Sequence, residues 1–455
     1  MVAQVAKWSL RVVFVLVVAR ALGPERLGIY ALLYALVEFL AVASGAGYSD
    51  YLTREAAKDA SSGWGLAFQL MALRVAIAVP IAAIEIGILS LMRYPHAVLA
   101  GTAWMALAVV PRSISEAVQG VLRGIHEYAS FLAIELILGG SLVAGAVVLL
   151  VRHGGLSLVI AVEVLAAAAA ALAGLWLSLK YRTRERVWVS VSQLVKKGAV
   201  FNLYSLAASL YDRFDVVLLS KLAGNYAAGI YSVAYRALSM TQIIGYGVLY
   251  SLLPTLSQGA MGQIEQRRLE KATGLLLRVA FFVVLATMIF AGPIVAIVLG
   301  PQYAESAGAL KILIWAVVFR YLNYALNVGL LAGGRERVFV STSLICLAVN
   351  LIGNLVFIPM YSWRAAAAVT IATEMALLVQ NLYWMRRAVG RVRPPSGLLS
   401  MSLVFASLLA LAMAGGYFGA PFVVGTGCIA LFAVYLYQSG IRSDFFAVWS
   451  EERVR

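Results

Sequence analysis

Charge is scarce in this chain, and so are the side chains on which most enzymes depend. Only 13% of its 455 residues are charged, roughly half the share of a soluble domain. There are two cysteines and three histidines. Cys346 and Cys428 both fall in apolar runs, so no disulfide framework is implied. His96, His126 and His153 are scattered without metal-ligand spacing. No Walker-type phosphate loop is present. The longest polar loop, about Tyr181 to Lys197, holds one acid, Glu185, and no histidine. A membrane glycosyltransferase or ligase needs a larger extramembrane loop with carboxylates for a metal or a general base. ATP hydrolysis and transferase chemistry are therefore disfavoured, and neither an enzyme nor a cofactor is expected.

What is present is apolar. Hydrophobic residues make up 62% of the chain and the mean hydropathy is +0.90. Runs of roughly 20 such residues, enough to cross a hydrocarbon core, recur from end to end. The expected class is an all-α integral membrane protein of about fourteen spans. Six run near 2–21, 28–48, 64–92, 98–119, 130–151 and 156–179, the first read as a span rather than a cleaved leader. Six more run near 199–219, 228–256, 272–299, 307–331, 339–359 and 365–384, and a final pair near 397–418 and 421–438.

The two sets of six are related by a duplication. Arg20 to Tyr34 reads ARALGPERLGIYALLY with its flanks, and Lys221 to Tyr235 reads KLAGNYAAGIYSVAY. Arg20 and Lys221, Gly23 and Gly224, Gly28-Ile29-Tyr30 and Gly229-Ile230-Tyr231, and Tyr34 and Tyr235 all agree at an offset of 201. A second echo sets Leu122-Arg123-Gly124-Ile125-His126-Glu127 against Leu331-Ala332-Gly333-Gly334-Arg335-Glu336 at 209. The expected domains are an N-lobe, 1–180, a basic linker, 181–198, a C-lobe, 199–386, and a terminal helix pair with its tail, 387–455. Six spans separate the echoes, so the lobes share one orientation, as parallel repeats do.

Loops after the even-numbered spans, with the tail, hold twenty-one bases against seven on the other side. The expectation is cytoplasmic termini and both Gly-Ile-Tyr turns on the external face. The basic linker serves as a topology signal or a contact with anionic lipid headgroups.

Eight bases remain inside spans: Lys7, Arg11, Arg74, Arg112, Arg213, Arg236, Arg278 and Arg320. Eight acids join them: Glu38, Glu85, Glu116, Glu135, Glu163, Asp212, Asp215 and Glu374. Each costs about 2.5 kcal/mol or more at a helix centre, so they are expected to face a protein interior or a watery cavity. Arg112 and Glu116, four apart, are read as a pair, as is Arg213 with Asp212 or Asp215. Arg236 and Arg278 are read as snorkelling near span ends. Glu38, Glu135 and Glu163 have no partner in sequence. Lys7, Arg11, Arg74 and Arg320 have no acid within one helical turn. Converging from different helices, they would form a cationic cavity for a phosphate or pyrophosphate. Asn323, Tyr324 and Asn327 make a polar stripe suited to sugar hydroxyls.

The segments ARALGPERLGIYALLYAL, YDRFDVVLLSKLAGNYAAGIYSVAYRAL, LLPTLSQ, LGPQYAESAGALKILIWA and LLAGGRERVF resemble the polysaccharide-biosynthesis flippase family. That family moves lipid-linked oligosaccharides and belongs to the multidrug/oligosaccharidyl-lipid/polysaccharide exporter superfamily. The resemblance covers about Leu10 to Arg387. It implies two six-helix lobes around a central cavity, a last helix pair, and alternating access without ATP hydrolysis. It also implies a basic cavity that receives a phosphate-linked headgroup. Asp215 falls where the family usually carries an aspartate.

The expected function is thus transfer of a polyprenyl phosphate- or pyrophosphate-linked oligosaccharide from the inner to the outer leaflet of a prokaryotic cytoplasmic membrane, by a monomer with no nucleic-acid partner. Lys7, Arg11, Arg74, Arg213 and Arg320 would bind phosphate, and Asn323, Tyr324 and Asn327 would meet sugar. Asp215, Glu116 or Glu374 would couple the cycle to protons or sodium. The alternatives are a cation-coupled drug exporter of the same superfamily, which wants an acidic cavity, and a flippase for a lipid-linked peptidoglycan precursor.

Overall fold

Long apolar runs whose backbone polar groups have no water to bond can satisfy them only internally, and here they do so as helices. The computed structural model describes residues 2–45, 48–181, 190–245, 247, 263–335, 337–389, 394–415 and 421–439. Residues 182–189 of the basic linker, LLPTLSQ, Tyr246, Glu336 and the C-terminal tail lie outside these residues, as do the side chains of Asn202 and Ser205.

In chain order the helices are α1 (Val2–Ala43), α2 (Tyr48–Lys58), α3 (Ala60–Leu91), α4 (His96–Ala106), α5 (Val109–Gly124), α6 (Tyr128–Val151), α7 (Leu156–Ser178), α8 (Val191–Leu222) and α9 (Asn225–Met240). They continue as α10 (Gln263–Leu299), α11 (Ala304–Leu313), α12 (Ala316–Ala332), α13 (Arg337–Tyr361), α14 (Trp363–Val389), α15 (Leu398–Ala414) and α16 (Pro421–Gln438). Among the described residues, eight helices are long and apolar enough to cross a membrane, and a bent pair makes a ninth. Every expected span has a helix at its place, so the chain is a multi-pass, all-helical membrane protein.

The expected spans differ from the helices in two places. The first two spans are the two segments of α1, separated at Gly23, whose φ of 75° and ψ of 171° turn the chain before Pro24 starts the second segment. Glycine is needed for that conformation. The loop expected after span 2 is the amphipathic helix α2, which lies on α5. Ser49 and Thr53 donate to the carbonyls of Glu116 and Gly120, each at 3.0 Å. Spans 4 and 10 each carry an irregular turn: α4 runs on into α5 through Leu107–Ala108 as one span, and α11 bends by 44° into α12 at Ile314–Trp315. The two turns stand 207 residues apart, so the duplication extends to them.

The echoed segments agree in backbone as well as in sequence. Gly224, like Gly23, has a positive φ, 91°. The second echo needs a register correction. His126 and Gly334 both take positive φ, and the amides of Glu127 and Arg335 return to the carbonyls of Leu122 and Leu330, at 2.8 and 3.0 Å. The structural offset is therefore 208, one less than sequence matching gives.

By packing, the chain divides into 1–232 and 233–455. In the first unit an apolar cluster that includes Tyr51, Leu52, Trp64, Leu70, Val121 and Ile134 fills one end, and the Trp64 and Tyr181 rings stack at 6.2 Å. The α3 helix starts at this end with Asp59 as its cap. Hydrogen bonds from the Ser62 and Ser61 hydroxyls and amides hold the Asp59 carboxyl down at about 2. In the second unit the terminal pair α15 and α16 packs through Phe405, which stacks on Phe281 at 4.5 Å and meets Trp315 and Phe432 edge-on.

Candidate functional site

In the first unit the turn at Gly23 lays the second segment of α1 back along the first. Residues four apart on a helix share a face, so Tyr30, Tyr34 and Glu38 form a row. Arg11 faces that row. Its two terminal nitrogens grip Glu163 of α7, at 3.0 and 2.7 Å, and one also donates to the Tyr30 hydroxyl at 2.8 Å. Tyr30 in turn donates to Glu163 at 2.5 Å. Arg112 of α5 pairs with Glu38 at 2.8 Å.

Three guanidinium groups then meet at one ring. The Tyr34 centroid lies 4.4 Å from that of Arg11, 5.6 Å from Arg112 and 5.0 Å from Arg213 of α8. No two of them are more than about 11 Å apart, where like charges repel by on the order of 2 kcal/mol per pair at an effective dielectric near 20. Glu38, Glu163 and the face of the ring offset that repulsion. The site is partly open, with Arg112 and Glu38 side chains 19% and 23% exposed.

Lys7, Arg11, Arg74 and Arg320, expected to remain unneutralised, are each paired, and the acids come from other helices. Lys7 meets Glu135 at 3.0 Å and Arg74 meets Glu116 at 2.8 Å. Arg320 meets Glu374 at 2.7 Å in the second unit. The expected pairing of Arg112 with Glu116 is replaced by these longer-range pairs. Glu38, Glu135 and Glu163, without partners in sequence, supply three of them, and Glu116 and Glu374 the others. Asp215, which with Asp212 was the expected partner of Arg213, lies within the field of that charge. Its buried carboxylate receives its neighbour's amide, Val216, at 2.8 Å and the Tyr231 hydroxyl. The echoed tyrosines Tyr30 and Tyr231 thus each donate to a buried carboxylate. Arg278 is 8% exposed rather than snorkelled and reaches the Ser439 carbonyl at 3.4 Å.

In the second unit Arg320 and Glu374 are buried together. Asn323 donates to the Glu374 carboxylate and backbone carbonyl, at 3.1 and 3.0 Å, and accepts from Asn381 at 3.1 Å. The Tyr324 ring lies against Gly245, where an added Cβ would come within 2.2 Å of it. Asn327 is different: its buried Oδ1 has no hydrogen bond.

The duplicated turns meet each other in the first unit. A Cβ on Gly28 would lie 1.8 Å from the Asn225 carbonyl oxygen, and one on Gly229 would lie 1.9 Å from that of Pro24. Pro24 and Asn225 are themselves 201 apart, so the contact is reciprocal. Beside it Lys221 donates to the Met92 carbonyl and covers the Tyr94 ring at 4.8 Å. Sequence reading found the motif but not the crossing, nor Arg112, Glu38 and Glu163 as members of the Tyr34 group. The four-residue spacing from Tyr30 through Tyr34 marks Glu38, whereas nothing in the spacing marks Arg112 or Glu163.

Duplicated helical segments and charges paired inside the spans define a multi-pass, all-helical membrane protein built on an internal repeat. The chain belongs to the family of polysaccharide biosynthesis proteins, whose profile matches residues 1–260. It is similar to the capsular polysaccharide biosynthesis protein CapF of Staphylococcus aureus, 24% identical over 187 residues. Those residues are 40% of this chain and 47% of CapF, so the chain spans about half the length of that curated relative. The fold is shared with the lipid II flippase MurJ in an inward closed conformation, at a TM-score of 0.73 and 12% identity over 97% of this chain and 99% of that one. It is also shared with an inward-facing multidrug resistance MATE family transporter of the MOP superfamily, at 0.67 and 16% identity over 84% and 94%.

Proposed function

We propose that this protein is a flippase that carries a polyprenyl phosphate- or pyrophosphate-linked oligosaccharide from the cytoplasmic to the external leaflet of a prokaryotic cytoplasmic membrane. The observation that carries this reading is the grouping of Arg11, Arg112 and Arg213 around Tyr34, inside a spanning unit of a polysaccharide biosynthesis family member. Guanidinium groups keep their charge when desolvated and match phosphate oxygens in a fork. A lipophilic cation would meet repulsion at the same place, which sets the drug-exporter reading lower. A lipid-linked peptidoglycan precursor offers the same headgroup chemistry and is a variant of this proposal.

On this reading Glu163 and Glu38 stand in for the substrate while the site is empty. Arg11 and Arg112 exchange them for phosphate oxygens on loading and recover them on release. Lys7, Arg74 and Arg320 would act as further phosphate ligands by the same exchange, releasing Glu135, Glu116 and Glu374. A carboxylate released within the membrane is costly unless neutralised. Uptake of a proton or sodium ion at Glu116, Glu374 or Asp215 would meet that need and couple the cycle. Asn323, Tyr324 and Asn327 would face the sugar, with the free Asn327 Oδ1 as acceptor. The cycle uses no enzyme chemistry, no cofactor and a single chain.

The charge bias of the loops supports cytoplasmic termini. In that topology the Gly28–Gly229 crossing and the Lys221–Met92 contact close the external end, and they must part for release. The test is thermal stabilisation of the purified protein by a short-glycan polyprenyl pyrophosphate, set against a lipophilic drug cation. A ligand of the folded state raises apparent stability by mass action. Stabilisation by the anionic lipid that disappears in Arg11→Ala supports the reading; stabilisation by the cation alone overturns it.

A further inference from the structure

We infer that Tyr34 is a positioning residue: its ring gathers the guanidinium groups of Arg11, Arg112 and Arg213 into one receptor for a phosphate-type anion. This rests on the anion-site reading above and goes beyond it. The three arginines come from α1, α5 and α8. All three approach the ring, with centroid distances of 4.4, 5.6 and 5.0 Å, while Glu38 lies near Arg112 and Arg213 and Glu163 near Arg11 and Arg112. An aromatic face attracts cations through its quadrupole, so the ring adds to Glu38 and Glu163 in offsetting three like charges and is, among the described residues, the one group that all three arginines approach. The Tyr34 hydroxyl is hydrogen-bonded to Glu38, and the ring is packed from the other side. Tyr30 lies one turn before it with ring centroids 6.1 Å apart, and Tyr30 is itself tied to Arg11 and Glu163.

An aliphatic residue of similar size at position 34 would keep the packing and lose the quadrupole. The arginines would then have to be assembled by the anion itself, and affinity would fall.

Inorganic pyrophosphate is the probe, with its Kd read from stabilisation of the purified full-length protein. Tyr34→Leu is expected to bind about tenfold more weakly than wild type, and Tyr34→Phe within about threefold of it. Should Tyr34→Leu not fold, phenylalanine, difluorophenylalanine and pentafluorophenylalanine at position 34 decide the matter. Fluorination nearly conserves shape and progressively cancels the quadrupole, so Kd should rise along the series while the ligand-free melting temperature does not follow it. A Kd indifferent to fluorination overturns the role of Tyr34. Failure of pyrophosphate to stabilise the wild type would instead remove the anion site on which it rests.

Discussion

Adding one methyl group at Gly28 or Gly229 should unlatch the end of the first unit where the duplicated turns cross. The new Cβ would sit 1.8 Å from the Asn225 carbonyl oxygen in one case and 1.9 Å from that of Pro24 in the other. Ordinary carbon–oxygen contact is about 3.3 Å, so the helices must part by roughly 1.5 Å. Both obstacles are backbone atoms, and no side-chain rotation relieves them. Overpacking of this kind typically costs about 1–3 kcal/mol, which shifts a closed-to-open equilibrium about 5- to 150-fold. The reporter is Ser232→Cys, one turn beyond Gly229, in a Cys346→Ala/Cys428→Ala background. Its rate of modification by a membrane-impermeant maleimide, added on the side where Pro24 and Asn225 lie, should rise at least about fivefold in Gly28→Ala and in Gly229→Ala. The double variant should add little, because a single separation relieves both clashes and neighbouring sites are not additive. Unchanged modification in both single variants would refute the crossing.

Other expectations concern the buried charges and one helix cap. Glu163→Gln should destabilise by about 3–5 kcal/mol in chemical denaturation, because it leaves the Arg11 guanidinium buried without its counter-ion. Glu38→Gln should cost less, since that pair is more exposed. Glu135→Gln should cost least of all, since the Lys7 that it leaves behind is 45% exposed. Asp59→Ala should lower the melting temperature by removing the α3 cap. The folded carboxyl, at about 2, lies below its ordinary 3.8, so its contribution is present above the higher value and lost as pH falls through the lower. The difference between wild type and variant should therefore shrink from pH 4 to pH 2.

The elements that repeat were the most legible in sequence. A motif recurring without a gap located two turns, and the structure gives both the same positive-φ glycine, Gly23 and Gly224. Apolar runs marked the helices because the membrane demands length and little else. The irregular turns at Leu107–Ala108 and Ile314–Trp315 left no such signal. The ion pairs were illegible for a different reason. A search within one turn finds the pairs of an isolated surface helix, whereas Lys7 and Glu135 are 128 residues apart and Arg11 and Glu163 are 152. In a bundle the nearest acid is on a neighbouring helix, so bases that looked alone in sequence were the ones already paired. The Tyr34 group was hidden likewise, its three arginines arriving on three elements far apart in the chain.

Flipping itself is the most direct test of the central claim. Purified protein would be reconstituted into liposomes carrying a fluorescent short-chain polyprenyl pyrophosphate oligosaccharide, and transfer read by quenching from one side. The account predicts protein-dependent transfer that falls to the protein-free rate in Arg11→Ala/Arg213→Ala while that variant remains folded. Transfer by the double variant at the wild-type rate would contradict it.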